Sequence, residues 1–338
     1  VRRIGGGVLA LAVIVATFVF VLPRIADYGE VWDVVTDLSW PRIGALVVVT
    51  ILNLATYAPP WMAALPGLGF RNAFVLAQST SASTYLAPGG PAVGIALGYG
   101  MLRAWGFSRR AVTLAVTLTG VTNQFALLGF PTVAVVLLTI AGERHPLLQT
   151  VALVGLAVFA VAAAAYFTGL SSRRLARWAG KTSARIATWA LRLVRRGPVS
   201  WTGETFATFR ADAARLLRRR WHVLTAATLA GHLTVFLVLL TSLRVFDVPA
   251  SDVSVVEAFA AWALVRLLGS IPVTPGGLGI VELGLTTALV GFGGDNAEVV
   301  TAVLTYRFLT IVPTLVLGLV AGATWKRHHP RAELDSGL

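Results

Sequence analysis

The chain has no cysteine, which excludes thiolate metal sites and disulfides. Its five histidines (His145, His222, His232, His328 and His329) are scattered and form no metal-ligand spacing. No GxxxxGK[ST] run is present, so a phosphate-cradling loop of the ATPase kind is absent. Charge is scarce too. Only 13% of the 338 residues are charged, against about a quarter in a soluble domain. No metal or cofactor is expected.

Apolar sequence fills the space: 56% of residues are hydrophobic and the mean hydropathy is +0.77. Several apolar windows reach the roughly 20 residues that span a bilayer. Their pattern is not the alternation of barrel strands, so an all-α polytopic membrane protein is expected. The formal net charge of +13 resembles a nucleic-acid signature until its position is considered. Thirteen Arg and Lys residues lie between Ser171 and Trp221, opposed by Glu204 and Asp212 alone. A basic loop between spans is what a cytoplasmic segment carries, so no nucleic-acid partner is implied.

In chain order, full spans are expected over Ile4–Leu22, Ile43–Leu65, Ala111–Ile140, Leu147–Phe167, His222–Leu243 and Val299–Trp325. The first follows Arg2 and Arg3 without a small-residue cleavage pattern and reads as an uncleaved span. Two further apolar segments are broken. Residues 72–104 break at Pro88-Gly89-Gly90-Pro91, after an arm rich in Ser and Thr. Residues 254–292 break at Pro272, Pro275, Gly276 and Gly277 within SIPVTPGGLGIVELG, with Gly279 just beyond. Proline removes a backbone donor and paired glycines permit a sharp reversal. Amides freed at membrane depth need partners in the protein or in a wet cavity, so such breaks point to transport sites.

Six spans with the basic loops inside put both termini in the cytoplasm. The chain then divides into a first span–hairpin–span unit (41–140), the basic loop (171–221), a second unit (222–325) and a tail (326–338). The two units run in opposite orientations, as an inverted repeat. Fully crossing hairpins, giving eight or more spans, fit the loop charges equally well.

The charges left within the apolar segments are Glu257, Arg266, Glu282 and Arg307. An ionised group at the centre of a helix costs at least ~2.5–3.5 kcal/mol, so these should pair or line a cavity. Arg266 and Glu282 flank the second break symmetrically and form the natural pair, with Arg307 sharing Glu282 or standing free. Two guanidiniums against one carboxylate suit a phosphate headgroup. A structural salt-bridge knot is the alternative. Asn123 and Gln124, midway along the third span, are further candidate substrate contacts.

PVTPGGLGIVE, with Arg266 before it and VLTYRFLTIVP after it, resembles the membrane domain of bacterial lysylphosphatidylglycerol synthases. The resemblance covers nearly the whole chain. It maps Pro275, Gly276, Gly277, Gly279 and Glu282 onto that family's signature, and Arg307 onto the arginine of its last helix. The first half departs: where many members have an arginine soon after the break, this chain has VGIALGYG and then Arg103. The resemblance implies a stand-alone flippase-like relative in the bacterial plasma membrane, without the tRNA-using synthase domain. It would move an anionic phospholipid or a polyprenyl-linked precursor. A non-catalytic partner of a glycosyltransferase or lipid-modifying enzyme is the alternative. An enzyme acting on headgroups would have Glu282 as its strongest candidate.

Overall fold

In the computed structural model the described residues are 38–86, 90–142, 146–172, 203–269 and 275–325, with scattered positions between 174 and 188. Among them the chain is helical and contains no strand. The expected span Ile4–Leu22, the tip residues Pro88, Gly89 and Pro272, and the tail 326–338 lie outside the described residues.

Helix α1 (Trp40–Ala55) and the short α2 (Pro59–Ala64) make one crossing, interrupted where Pro59 and Pro60 open α2. Next come α3 (Phe70–Leu86), α4 (Gly90–Ala104), α5 (Arg109–Ile140) and α6 (Pro146–Ser171). The second half holds α7 (Gly203–Val245), α8 (Val255–Gly269), a 3-10 turn at Pro275–Gly277, α9 (Ile280–Phe292) and α10 (Asn296–Thr324). Four segments among the described residues are long and apolar enough to cross a bilayer: Trp40–Ala64, Arg109–Ile140, Gly203–Val245 and Asn296–Thr324. α6, at 26 residues, covers the span expected over Leu147–Phe167.

The broken segments behave differently. Helices α3, α4, α8 and α9 have 17, 15, 15 and 13 residues. At 1.5 Å per residue they are about 20–26 Å long, short of the ~30 Å hydrocarbon core. α3 folds back onto α4, and α8 onto α9. The first hairpin closes on small residues: Gly94 faces the Thr80 carbonyl so closely that a Cβ would sit 2.8 Å from it.

Packing between the halves is reciprocal. The first arm of hairpin one, α3, lies along α10, while the first arm of hairpin two, α8, lies along α5. The opening crossings, α1–α2 and α7, pack on each other. Each hairpin is therefore seated on the closing span of the other half. The α3–α10 crossing is tight at Gly318, where a Cβ would lie 2.5 Å from the Gln78 carbonyl oxygen.

α7 has 43 residues, a rod of about 65 Å that exceeds any bilayer crossing. The basic loop expected over 171–221 is thus helical from Gly203 onward and continuous with the span that follows. Both ends of α7 are tied down. Arg110, near the start of α5, makes a two-pronged ion pair with Asp212. Beyond the other end, Arg42 grips Asp247 at 2.6 and 2.9 Å. Asp247 adopts the left-handed conformation that ends the helix, with the Val248 N–H donating to the Leu243 carbonyl. The Arg42 guanidinium holds the Asp247 carboxyl below the usual carboxylate range.

Candidate functional site: a guanidinium cluster beside the second break

The tip of the second hairpin dictates the site. Gly276, Gly277 and Gly279 all have positive φ, at 61°, 69° and 84°, a region that other residues rarely tolerate. Gly276 has a second constraint. A Cβ there would run into the ring of Tyr85, near the end of the first hairpin's α3. Around this contact Ala82, Ile311 and Leu315 form a small core, with Tyr85, Leu86 and Leu278 packed on it. The two broken elements therefore meet inside the bundle.

Past the tip, α9 starts with Glu282 in its first turn. Glu282 curls back so that Oε2 accepts the Gly279 N–H at 2.7 Å, filling an orphan donor at the helix start. Its other oxygen, Oε1, accepts from Arg307 Nε at 2.5 Å. Arg307 Nη2 also donates to the Gly276 carbonyl at 2.9 Å. Both side chains of this pair are buried. One carboxylate thus caps α9 while one guanidinium on α10 fastens the tip.

Arg266 is placed otherwise. It sits near the end of α8, four residues after Trp262, and its guanidinium lies over that indole at 5.2 Å. Its Nη2 is 3.0 Å from His232 Nδ1. A guanidinium can only donate, so Nδ1 accepts, and the imidazole is neutral with its proton on Nε2. His232 is buried on α7. Phe130 stacks edge-on against both His232 and Trp262, at 5.5 and 5.3 Å. Tyr57 and Tyr306 lie within electrostatic reach of Arg266, and Tyr85 within reach of both tyrosines. Among the described residues, no carboxylate pairs with Arg266.

The interior around this cluster has spare hydrogen-bonding capacity. Asn53 Oδ1, Gln78 Oε1 and Ser79 Oγ are buried without a partner among the described residues, an uncommon state for interior polar atoms. Phe130 also lines a cleft of about 950 Å³ between α5, α6 and α7. Its walls are apolar, including Phe125, Phe159 and Leu217, and Arg218 and Trp221 belong to its rim of basic and aromatic side chains.

Several expectations need correcting. The pairing of Arg266 with Glu282 does not occur. Glu282 is turned toward its own helix start, where Arg307 meets it, and Arg266 follows the Trp262 face of α8 toward α7. Glu257 is not a charge stranded in the membrane. It forms a capping box with Ser254 at the start of α8: Ser254 N–H to Glu257 Oε2 is 2.7 Å, and Glu257 N–H to Ser254 Oγ is 3.2 Å. Asn123 and Gln124 are exposed on α5, where Ala126, Leu127 and Phe130 take the inner face. Neither hydrogen-bonds to Arg266, Glu282 or Arg307 among the described residues. Gly90 opens α4, packed against the Ser83 carbonyl and Thr84 near the end of α3, and Pro275 opens the 3-10 turn. His232 is the buried hydrogen-bonding residue expected of a lone histidine at the centre of an apolar span, and its partner is Arg266.

Apolar helices enclosing two guanidiniums, with two short hairpins seated reciprocally, define a multi-pass membrane protein with an interior polar site. The sequence pattern of the lysylphosphatidylglycerol synthase TM region matches residues 7–318, and the chain belongs to that family. The family places it in a membrane-lipid context. No curated protein matches the chain.

Proposed function

We propose that the protein moves an anionic lipid between the leaflets of a bacterial inner membrane, with Arg266 as the headgroup cation. The observation that carries this is the charge balance at the cluster. Among the described residues, Glu282 neutralises Arg307, while Arg266 meets an imidazole and an indole face but no carboxylate, which leaves this cluster with one net positive charge. Uncompensated charge at membrane depth is costly and is characteristic of substrate pathways. A guanidinium suits a phosphate headgroup. The cleft on the other side of Phe130, near the upper end of the ~300–1,000 Å³ of ligand pockets, offers apolar walls for acyl chains, one aromatic ring away from the His232–Trp262 pair that holds Arg266.

The reciprocal seating of α3 on α10 and α8 on α5 supports an inverted repeat in which the hairpins rock against the long helices, and the basic residues between Ser171 and Trp221 support cytoplasmic termini. We read no hydrolytic role for Glu282, because both of its oxygens are engaged, by Gly279 and by Arg307. The test is reconstitution into vesicles carrying fluorescent phosphatidylglycerol or phosphatidylcholine. Faster leaflet exchange of the anionic lipid is expected. Equal exchange of both, or none beyond empty vesicles, contradicts the reading.

A further inference from the structure

We infer that His232 is a proton site loaded together with the anion, so that the Arg266–His232 pair takes a phosphodiester monoanion and one proton as a unit. This rests on the reading of Arg266 as the headgroup cation. In the structure, the Arg266 Nη2–H points at His232 Nδ1 over 3.0 Å. That hydrogen bond occupies the only basic lone pair of the neutral ring. The adjacent guanidinium also opposes a second positive charge. Among the described residues, Arg266 is the charged group that meets His232. Phe130 of α5 faces the imidazole edge-on, and Trp262 of α8 lies under the Arg266 guanidinium. Tyr57 and Tyr306 lie within electrostatic reach of Arg266. Glu282 is closed onto Arg307 and is not an alternative proton acceptor for the ring.

A phosphodiester that accepts the Arg266 N–H groups breaks the Arg266–His232 bond and frees Nδ1. Its negative charge, set beside the ring, offsets both the cost of a charged imidazole in a buried place and the nearby guanidinium. A proton from water then adds to Nδ1, and the new N–H donates to a second oxygen of the anion. No covalent bond other than this N–H forms. On release the proton leaves Nδ1 and Arg266 resumes its contact. The cluster carries one net positive charge when empty and one when holding the anion with its proton, so the loaded site changes leaflet without moving net charge. By linkage, proton uptake on binding requires tighter binding at lower pH.

The test is titration calorimetry on the full chain in nonionic detergent, with dihexanoyl-phosphatidylglycerol as probe, in buffers of different ionisation enthalpy. The expected result is uptake of one proton per lipid bound near neutral pH, with affinity rising as pH falls. His232→Asn keeps an acceptor for Arg266, so it should bind the lipid with no proton taken up. Binding without proton uptake in the wild type, or equal uptake in His232→Asn, overturns the inference. If that variant fails to fold, the wild-type proton count against pH decides. Arg266→Gln separates the two ideas: undiminished binding there overturns the Arg266 headgroup site. Lost binding there, with no proton taken up by the wild type, overturns the proton site alone. Dimethyl phosphate in a parallel titration distinguishes sources: binding with the same proton count supports a free phosphodiester, and binding of the lipid alone supports a membrane ligand. No binding of either overturns both ideas.

Discussion

Arg307 and Glu282 close a circuit at the second hairpin. The guanidinium, on α10, holds the carboxylate at 2.5 Å and the Gly276 carbonyl at 2.9 Å, while the same carboxylate caps α9 through the Gly279 N–H at 2.7 Å. The pair ties the 3-10 turn and the start of α9 to α10, 25 residues further along the chain, and is the fastening of the fold near the candidate site.

Breaking that pair from one side leaves a buried charge alone, which typically costs about 3–5 kcal/mol. Arg307→Ala and Glu282→Ala should each lower the unfolding midpoint in detergent by many degrees. Glu282→Gln combined with Arg307→Met removes both charges and should recover part of the loss. A single variant as stable as the wild type would show that the pair does not fasten the tip.

Gly276 couples the two hairpins through Tyr85. Gly276→Ala meets both a positive φ and the Tyr85 ring, so a loss above about 1 kcal/mol is expected. Adding Tyr85→Ala relieves the ring but not the backbone, so the double variant should lie between the single variant and the wild type. Additive losses in thermal unfolding would contradict contact between the hairpins.

The crossing of α3 and α10 at Gly318 leaves no room for a methyl group. Gly318→Ala should cost about 1–3 kcal/mol by overpacking. Gly120 on α5 has nothing within 4 Å of a Cβ, and Gly120→Ala is the control, neutral or slightly stabilising. Equal behaviour of the two variants would place the close approach in doubt.

Much of this arrangement was legible in the sequence. The breaks at Gly90 and at Pro275-Gly276-Gly277 announce themselves through residues that stop helices and reverse chains, and the arms are short, at 13 to 17 residues. The membrane spans followed from apolar length alone. The pairing of charges was less accessible. Arg266 and Glu282 are symmetric about the break, but which face of α8 turns inward is set by Trp262, Phe259 and Phe130 packing together, a tertiary fact. His232 lies 34 residues from Arg266, so only folding reveals their contact. Glu257 looked like a membrane charge because the Ser254-to-Glu257 cap sits within an apolar run. Asn123 and Gln124 share a helix with Phe130 but point outward, a difference of rotation that polarity alone does not convey.

The most direct test of the central claim is the leaflet exchange of fluorescent phosphatidylglycerol in vesicles containing wild-type protein or Arg266→Gln. Gln keeps a donor for His232 while removing the charge, so the variant should fold with near wild-type stability. The account predicts that its exchange falls to the rate of empty vesicles. Exchange at the wild-type rate in a correctly folded Arg266→Gln protein would contradict it.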